Sequence, residues 1–255
     1  MKRFGFVFFA ALLFACAAYG QGGPPGPHGF ERPGGFGPGL HSGKIVTGAP
    51  YSATATSQFT QTLVGGNTIQ RTRTALVARD SLGRTYEQET ISGGPLAQNG
   101  PTTITFISDP VAGYRYVLNP NTKVATRHAI RTPSFGGNSN RTALSNRPAD
   151  ANRVETDLST QVINGITAQG KSITHTIPAG VIGNASPIVS TTETWYSPDL
   201  QVPVLVKWND PRAGQSTYTL TNIVRAEPSA TLFKVPSDYT IQDAPASRQF
   251  PGQPQ

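Results

Sequence analysis

Val154-Glu155-Thr156-Asp157-Leu158-Ser159-Thr160-Gln161-Val162-Ile163, then Asn164-Gly165, then Ile166-Thr167-Ala168-Gln169-Gly170-Lys171-Ser172-Ile173-Thr174-His175-Thr176-Ile177 is the stretch that decides the fold. Two runs rich in β-branched residues meet at Asn-Gly, whose residues both tolerate positive φ, so the segment predicts a β-hairpin with a two-residue turn. The same habit continues on both sides. Downstream, runs at 188–196, 202–209 and 215–225 are divided by Pro and Asp chemistry, including Asp210-Pro211-Arg212-Ala213-Gly214. Upstream, runs at 51–63, 68–78, 84–91, 102–108, 114–118 and 123–129 are divided by Gly65-Gly66-Asn67, Asp80-Ser81-Leu82-Gly83, a Gly/Pro loop, Asp109-Pro110-Val111-Ala112-Gly113 and Asn119-Pro120-Asn121-Thr122. Each break has a mechanism, because Pro fixes φ, Gly or Asn accepts positive φ, and Asp suits the first position of a turn. The expected fold is mainly β, a single large curled antiparallel sheet or unclosed half-barrel meander, with little helix beyond one turn near 228–232.

Composition agrees. The chain has 255 residues with 27 Gly, 22 Pro, 30 Thr and only 14% charged residues. Gly and Pro are the poorest helix formers, while Thr, Val, Ile and aromatics suit a pleated sheet. That balance excludes a coiled coil and a helical membrane bundle.

Met1-Lys2-Arg3, an apolar run over 4–18 and the small residues of Ala18-Tyr19-Gly20 form a secretory signal pattern, and about 15 apolar residues are short of the roughly 20 a spanning helix needs. The expectation is a signal peptide at 1–20, cleavage after Gly20, and a periplasmic or secreted protein with no transmembrane span. Cys16, the single cysteine, lies in a lipobox-like Leu13-Phe14-Ala15-Cys16, with bulky Phe14 against that reading; lipidation there is the alternative. Cleavage leaves no thiol, which removes disulfides, thiol catalysis and thiolate metal sites. It also lowers the formal charge from +7 to 19 − 14 = +5, a modest surplus of scattered cations that fits solubility rather than nucleic acid. Nine Gly and five Pro fall among the 23 residues of 21–43, which reads as a disordered tether. One β domain at 44–242 is expected, with a mobile polar insertion at 130–152 and a disordered tail at 243–255.

No nucleophile elbow, His-Glu-x-x-His, phosphate cradle or acidic metal loop is present, so no catalytic residue, metal site or cofactor is assigned. His128 and His175 sit in plain strand sequence. Glu87 and Glu89 share a strand face, as do Glu155 and Asp157, and these near neighbours offset arginines across the sheet, with Arg71 and Arg73 at hand. Alternation instead places large apolar groups on common faces: Trp195; Val202, Val204, Val206 and Trp208; Tyr218 and Leu220; Tyr114 and Tyr116. Trp195, Trp208, Tyr218, Leu220, Phe233, Tyr114 and Tyr116 are therefore the candidate ligand-binding residues of a concave face.

Glu193-Thr194-Trp195-Tyr196-Ser197-Pro198-Asp199-Leu200, Asp210-Pro211-Arg212-Ala213-Gly214, Leu220-Thr221-Asn222-Ile223 and Leu232-Phe233-Lys234-Val235-Pro236-Ser237-Asp238-Tyr239 follow one another in an order that resembles the closing strands of LolA-like lipoprotein-sorting and related envelope proteins. It also resembles secreted bacterial proteins with a Gly/Pro-rich leader. The resemblance implies an unclosed antiparallel barrel whose concave side accepts acyl chains, with residues 232–239 as a final strand. Such carriers place amphipathic lid helices early in the chain, and none is found here. The implied partner is a lipid or a lipoprotein acyl chain, with an envelope protein or an anionic polymer as alternatives; a structural or protein-interaction module is the rival function.

Overall fold

A computed structural model describes residues 45–91, 100–130 and 151–245. Its twelve strands are β1 (Tyr51–Thr62), β2 (Thr68–Arg79), β3 (Thr85–Ile91), β4 (Thr102–Asp109), β5 (Tyr114–Asn119), β6 (Val124–Ala129), β7 (Arg153–Ile163), β8 (Ile166–Ile177), β9 (Ile188–Ser197), β10 (Val202–Asp210), β11 (Gly214–Val224) and β12 (Thr240–Asp243). All lie in one sheet ordered β12-β6-β5-β4-β3-β2-β1-β11-β10-β9-β8-β7. The expected signal segment, the tether, most of the 130–152 insertion and the end of the tail lie outside the described residues.

The chain builds two local meanders, β1 to β6 and β7 to β11, and joins them by pairing β1 with β11. Turn chemistry sets the hairpins. Asn164 (φ 49°) and Gly165 (φ 79°) make the two-residue turn between β7 and β8. Asp109 Oδ1 accepts from the Val111 and Ala112 N–H groups, and Asp80 Oδ1 accepts from Leu82 and Arg84. Pro203, which has no ladder donor, stands where the register of β10 against β9 slips between Pro203 and Leu205.

A twisted sheet this wide curls. Two contacts between strands that are not neighbours accompany the curl: Asn164 Nδ2 donates to the Leu220 carbonyl at 2.6 Å, and Arg79 at the end of β2 reaches the carbonyl of Leu200, in the β9–β10 turn, as well as that of nearby Ala49. Small residues allow the close approach. Ala53, Ala55, Ala75, Ala168 and Val77 pack with Tyr51, Val202, Val204, Val206, Trp195, Tyr218 and Leu220 in the main core.

Direct cross-strand partners share a face. Ala53, Val77, Glu87, Phe106 and Val117 form one inner-face row across β1 to β5. Ala78, Tyr86, Ile107, Tyr116 and Arg127 form a row on the outer face. That outer face is covered by residues 225–239, which run from β11 back across the sheet through a single 3-10 turn, Ala230–Phe233, capped by the Ser229 hydroxyl. Val235 and Tyr239 from this strap join Tyr86 and Tyr116 in packing on Ile107, Leu118 and Ala125. Residues 232–239 are thus not the strand that the resemblance implies. Pro236 cannot donate to a ladder, and the Tyr239 N–H turns back to the Pro236 carbonyl at 3.1 Å. Pairing resumes only in β12, which lies parallel to β6 and closes that edge with Lys123–Asp238 and Arg127–Asp243 ion pairs at 2.7 Å.

Candidate ligand-binding site

Two adjacent rows on the inner face of β3 to β6 make a cleft. The row nearer the core carries Glu87, Phe106 and Val117; the row nearer the strand ends runs Thr85, Ser108, Arg115 and His128, each directly opposite the next. Together they line a cavity of about 240 Å³, bordered also by Ile107, Tyr116 and Ala129. Phe106 and Val117 are half-buried, Glu87 is buried, and Arg115 and His128 are exposed at the lip. The arrangement is amphipathic in one direction: an apolar and hydroxyl floor, with a guanidinium and an imidazole side by side at its mouth.

Deeper in, the inner face turns polar. Arg79 is buried, its guanidinium donating to Ala49 at 3.1 and 2.7 Å and to Leu200, and standing 5.0 Å from the Tyr51 ring. Burial pulls its pKa down, with the Tyr51 phenol opposing. Burial pushes the Tyr51 phenol up to about 12, Arg79 opposing and Glu87 adding to the rise. Tyr218 is pushed well above the usual phenol range, first by burial and then by Tyr51 and Glu87. Glu89 pairs with Arg73 at 2.5 Å across the face, the offset that the Glu87/Glu89 spacing predicts. Tyr51 and Tyr218 of this group belong to the main core and Glu87 to the cleft lining, so core and cleft meet here. The Arg115 guanidinium stands apart from that group, exposed at the lip of the cleft.

The aromatic candidates divide. Trp195, Tyr218 and Leu220 come together in the main core, and Trp195 is packed so closely that its Nε1 lies 2.9 Å from the place a Cβ on Gly170 would take. Lys207 covers the Trp195 ring at 5.2 Å. Trp208 is half-buried, opposite Ser216, itself opposite Phe59. Phe233 is buried in the strap with Arg84 over its ring at 5.2 Å. Tyr114 and Tyr116 lie on the outer face, Tyr114 under Arg127 at 4.7 Å, although Tyr116 also borders the cleft. Sequence reasoning missed Phe106, Val117, Arg115 and Thr85 as a group and left His128 as an ordinary strand residue. The signal that finds them is register: only when Ser108 is known to face Arg115, and Arg115 to face His128, do these scattered positions become one row. Among the described residues no group of acids and histidines is disposed to hold a metal.

No protein-family model and no curated protein matches the sequence. Solved structures similar to the chain include an uncharacterized conserved protein from Thermus thermophilus (9% identity, TM-score 0.41, covering 77% of this chain and 91% of that one). They also include LolA superfamily protein NE2245 from Nitrosomonas europaea (8% identity, TM-score 0.31, 75% and 93%) and a putative outer membrane lipoprotein-sorting protein domain from Vibrio parahaemolyticus (11% identity, TM-score 0.28, 72% and 89%). With every TM-score below 0.5, nothing about ligand, partner or activity follows from these likenesses. The chain is similar to LolA-superfamily and lipoprotein-sorting structures.

Proposed function

We propose that the chain is an exported, non-enzymatic envelope protein that binds an amphipathic molecule with an anionic head in the inner-face cleft. The observation that carries this reading is the pair of rows: Phe106 and Val117 offer an apolar bed, and the neighbouring row ends on Arg115 and His128 at the lip. A cleft whose lining is divided between apolar groups and polar ones suits a small ligand whose two ends differ in polarity. Trp195, Tyr218 and Leu220 serve as its sealed support, and Trp208 stands apart from it near a sheet end. Export rests on the leader pattern, and an intact mass beginning at Gln21 is the expected result for protein taken from the cell envelope.

The test is extraction of natively purified protein with organic solvent, followed by titration of the emptied protein with fatty acid or lysophosphatidylglycerol. A ligand that binds the native state raises its melting temperature. Arg115→Ala and Phe106→Ser are each expected to weaken that binding by about tenfold, as loss of one charge-assisted contact or one apolar contact does. No extracted lipid and no thermal shift with either probe would sink the proposal. The rival, a protein-interaction module, is favoured by β7, whose eleven residues are nearly all exposed at the open edge of the sheet, with Val154 and Val162 uncovered.

A further inference from the structure

One end of the sheet carries three consecutive hairpin tips, between β1 and β2, β10 and β11, and β8 and β9. Thr60, Gln215, Asn209 and Thr191 stand opposite one another in one row across β1, β11, β10 and β9. From that row the β10–β11 turn closes almost at once, because Asp210 already faces Gly214. Its two neighbours continue outward: β1 runs two residues further to Thr62, and β9 begins three residues further out at Ile188. Asp210 itself lies one residue beyond the row, so the outer strands outrun the middle one by roughly 3 to 7 Å at about 3.3 Å per residue, and their longer loops carry both tips further.

Each projecting tip presents two adjacent aliphatic side chains to solvent. Val64 is fully exposed beside Leu63, while Val181 and Ile182 are 65% and 58% exposed. Neither loop contains an acidic residue. The tips are also shaped rather than slack. Leu63 N–H donates to Asn67 and Gly66 N–H to Leu63. The Asn184 amide nitrogen bonds the Pro178 and Ser186 carbonyls at 2.9 and 2.8 Å while its oxygen accepts from the Ile182 N–H. At the opposite end of the sheet, the exposed tip residues Leu82 and Val111 each share their turn with an aspartate, Asp80 and Asp109, while the other exposed aliphatics there, Ile45, Val162 and Val224, lie outside those tips. Behind the projecting tips lies the inner-face row Trp208, Ser216, Phe59, Arg71, with both aromatics half-buried.

We infer that this end of the sheet docks on a lipid bilayer, with Leu63-Val64 and Val181-Ile182 inserted at the boundary of headgroups and acyl chains and Trp208 at headgroup depth. Separate, convex apolar protrusions at one level fit a surface that deforms around each of them, whereas a protein partner would need a matching hollow for each. Aliphatic groups below an aromatic and a cation reproduce the polarity gradient of a bilayer surface, and the basic balance left once the leader is removed, formally 19 − 14 = +5, favours anionic lipid. This goes beyond ligand binding in the cleft and does not depend on it.

The protein is mixed with vesicles of equal parts phosphatidylethanolamine and phosphatidylglycerol, and binding is read by flotation and by the tryptophan emission maximum. Binding with a blue shift is expected, and Trp208→Phe should abolish the shift because Trp195 is buried already. Val64→Asp and Ile182→Asp, both at exposed turn positions, should each lower vesicle affinity about tenfold. Leu82→Asp and Val111→Asp at the far end, and Arg115→Ala in the cleft, should leave it unchanged. The inference is overturned by failure of the wild-type protein to float, by wild-type binding in both tip variants, by equal loss in the far-end variants, or by a blue shift that survives Trp208→Phe.

Discussion

Arg79 is the side chain on which the curl turns. Its guanidinium satisfies Ala49 and Leu200 carbonyls from two distant segments and stacks on Tyr51. Arg79→Met keeps much of the stem but leaves those carbonyls without their charged donor, a loss of about 2 to 4 kcal/mol measurable by urea unfolding. Gly214 is equally constrained by space. It has φ 104°, and a Cβ there would collide with the Thr60 backbone carbonyl, so Gly214→Ala should lower stability by at least about 2 kcal/mol in the same assay. Gly65→Ala is the control, since positive φ is strained there but nothing obstructs the side chain. At this scale the sequence is partly legible. The turn roles of Asp80, Asp109 and Asn164 follow from local chemistry, and so does the offset of Glu89 by Arg73. The role of Arg79 does not, because its partners are backbone carbonyls remote in the chain, and a carbonyl has no residue type to read.

Among the elements, the strap at 225–239 departs most from its expected form. Leu232-Phe233-Lys234-Val235 looks like the start of a strand, yet its apolar groups point onto a sheet face instead of alternating within a sheet. Local periodicity cannot tell these apart when the run is only four residues long. Tyr239→Ala should cost about 2 to 4 kcal/mol, because it removes cover from Ile107, Leu118 and Ala125 together with the contact of Lys123 on its ring, 4.9 Å from the centroid. Loss of β12 pairing should accompany it, visible as faster amide exchange in β6. The hairpins, by contrast, were legible nearly to the residue, since each is specified by neighbours. The cleft was not, because rows across four strands depend on register, and register is a property of pairs of strands rather than of any one.

For the whole molecule, the buried phenols make a prediction about alkali. Tyr51 titrates at about 12 in the folded protein against about 10 in an unfolded chain, and Tyr218 moves the same way. A raised phenol pKa means that the folded state holds its proton more tightly. The associated stability is whole below about pH 10 and is lost as pH rises through about 12, by on the order of 2 kcal/mol for Tyr51. Melting temperatures from pH 8 to pH 12 should show that fall, and Tyr51→Phe should flatten it. The pairing that joins the two meanders has a consequence in time as well as in space. Thr54 and Thr221, hydrogen-bonded across β1 and β11, are 167 residues apart in the chain. Long loops close slowly, and contacts of high sequence separation form late. As the chain emerges from its N-terminus, β1 to β6 can assemble from neighbours alone, but β1 waits with one edge bare until β11 arrives. Refolding from denaturant should therefore be slow and prone to aggregation at high concentration, and a chain cut short before residue 214 should be left with a permanently open seam. The first strand of the chain waits longest for its second neighbour.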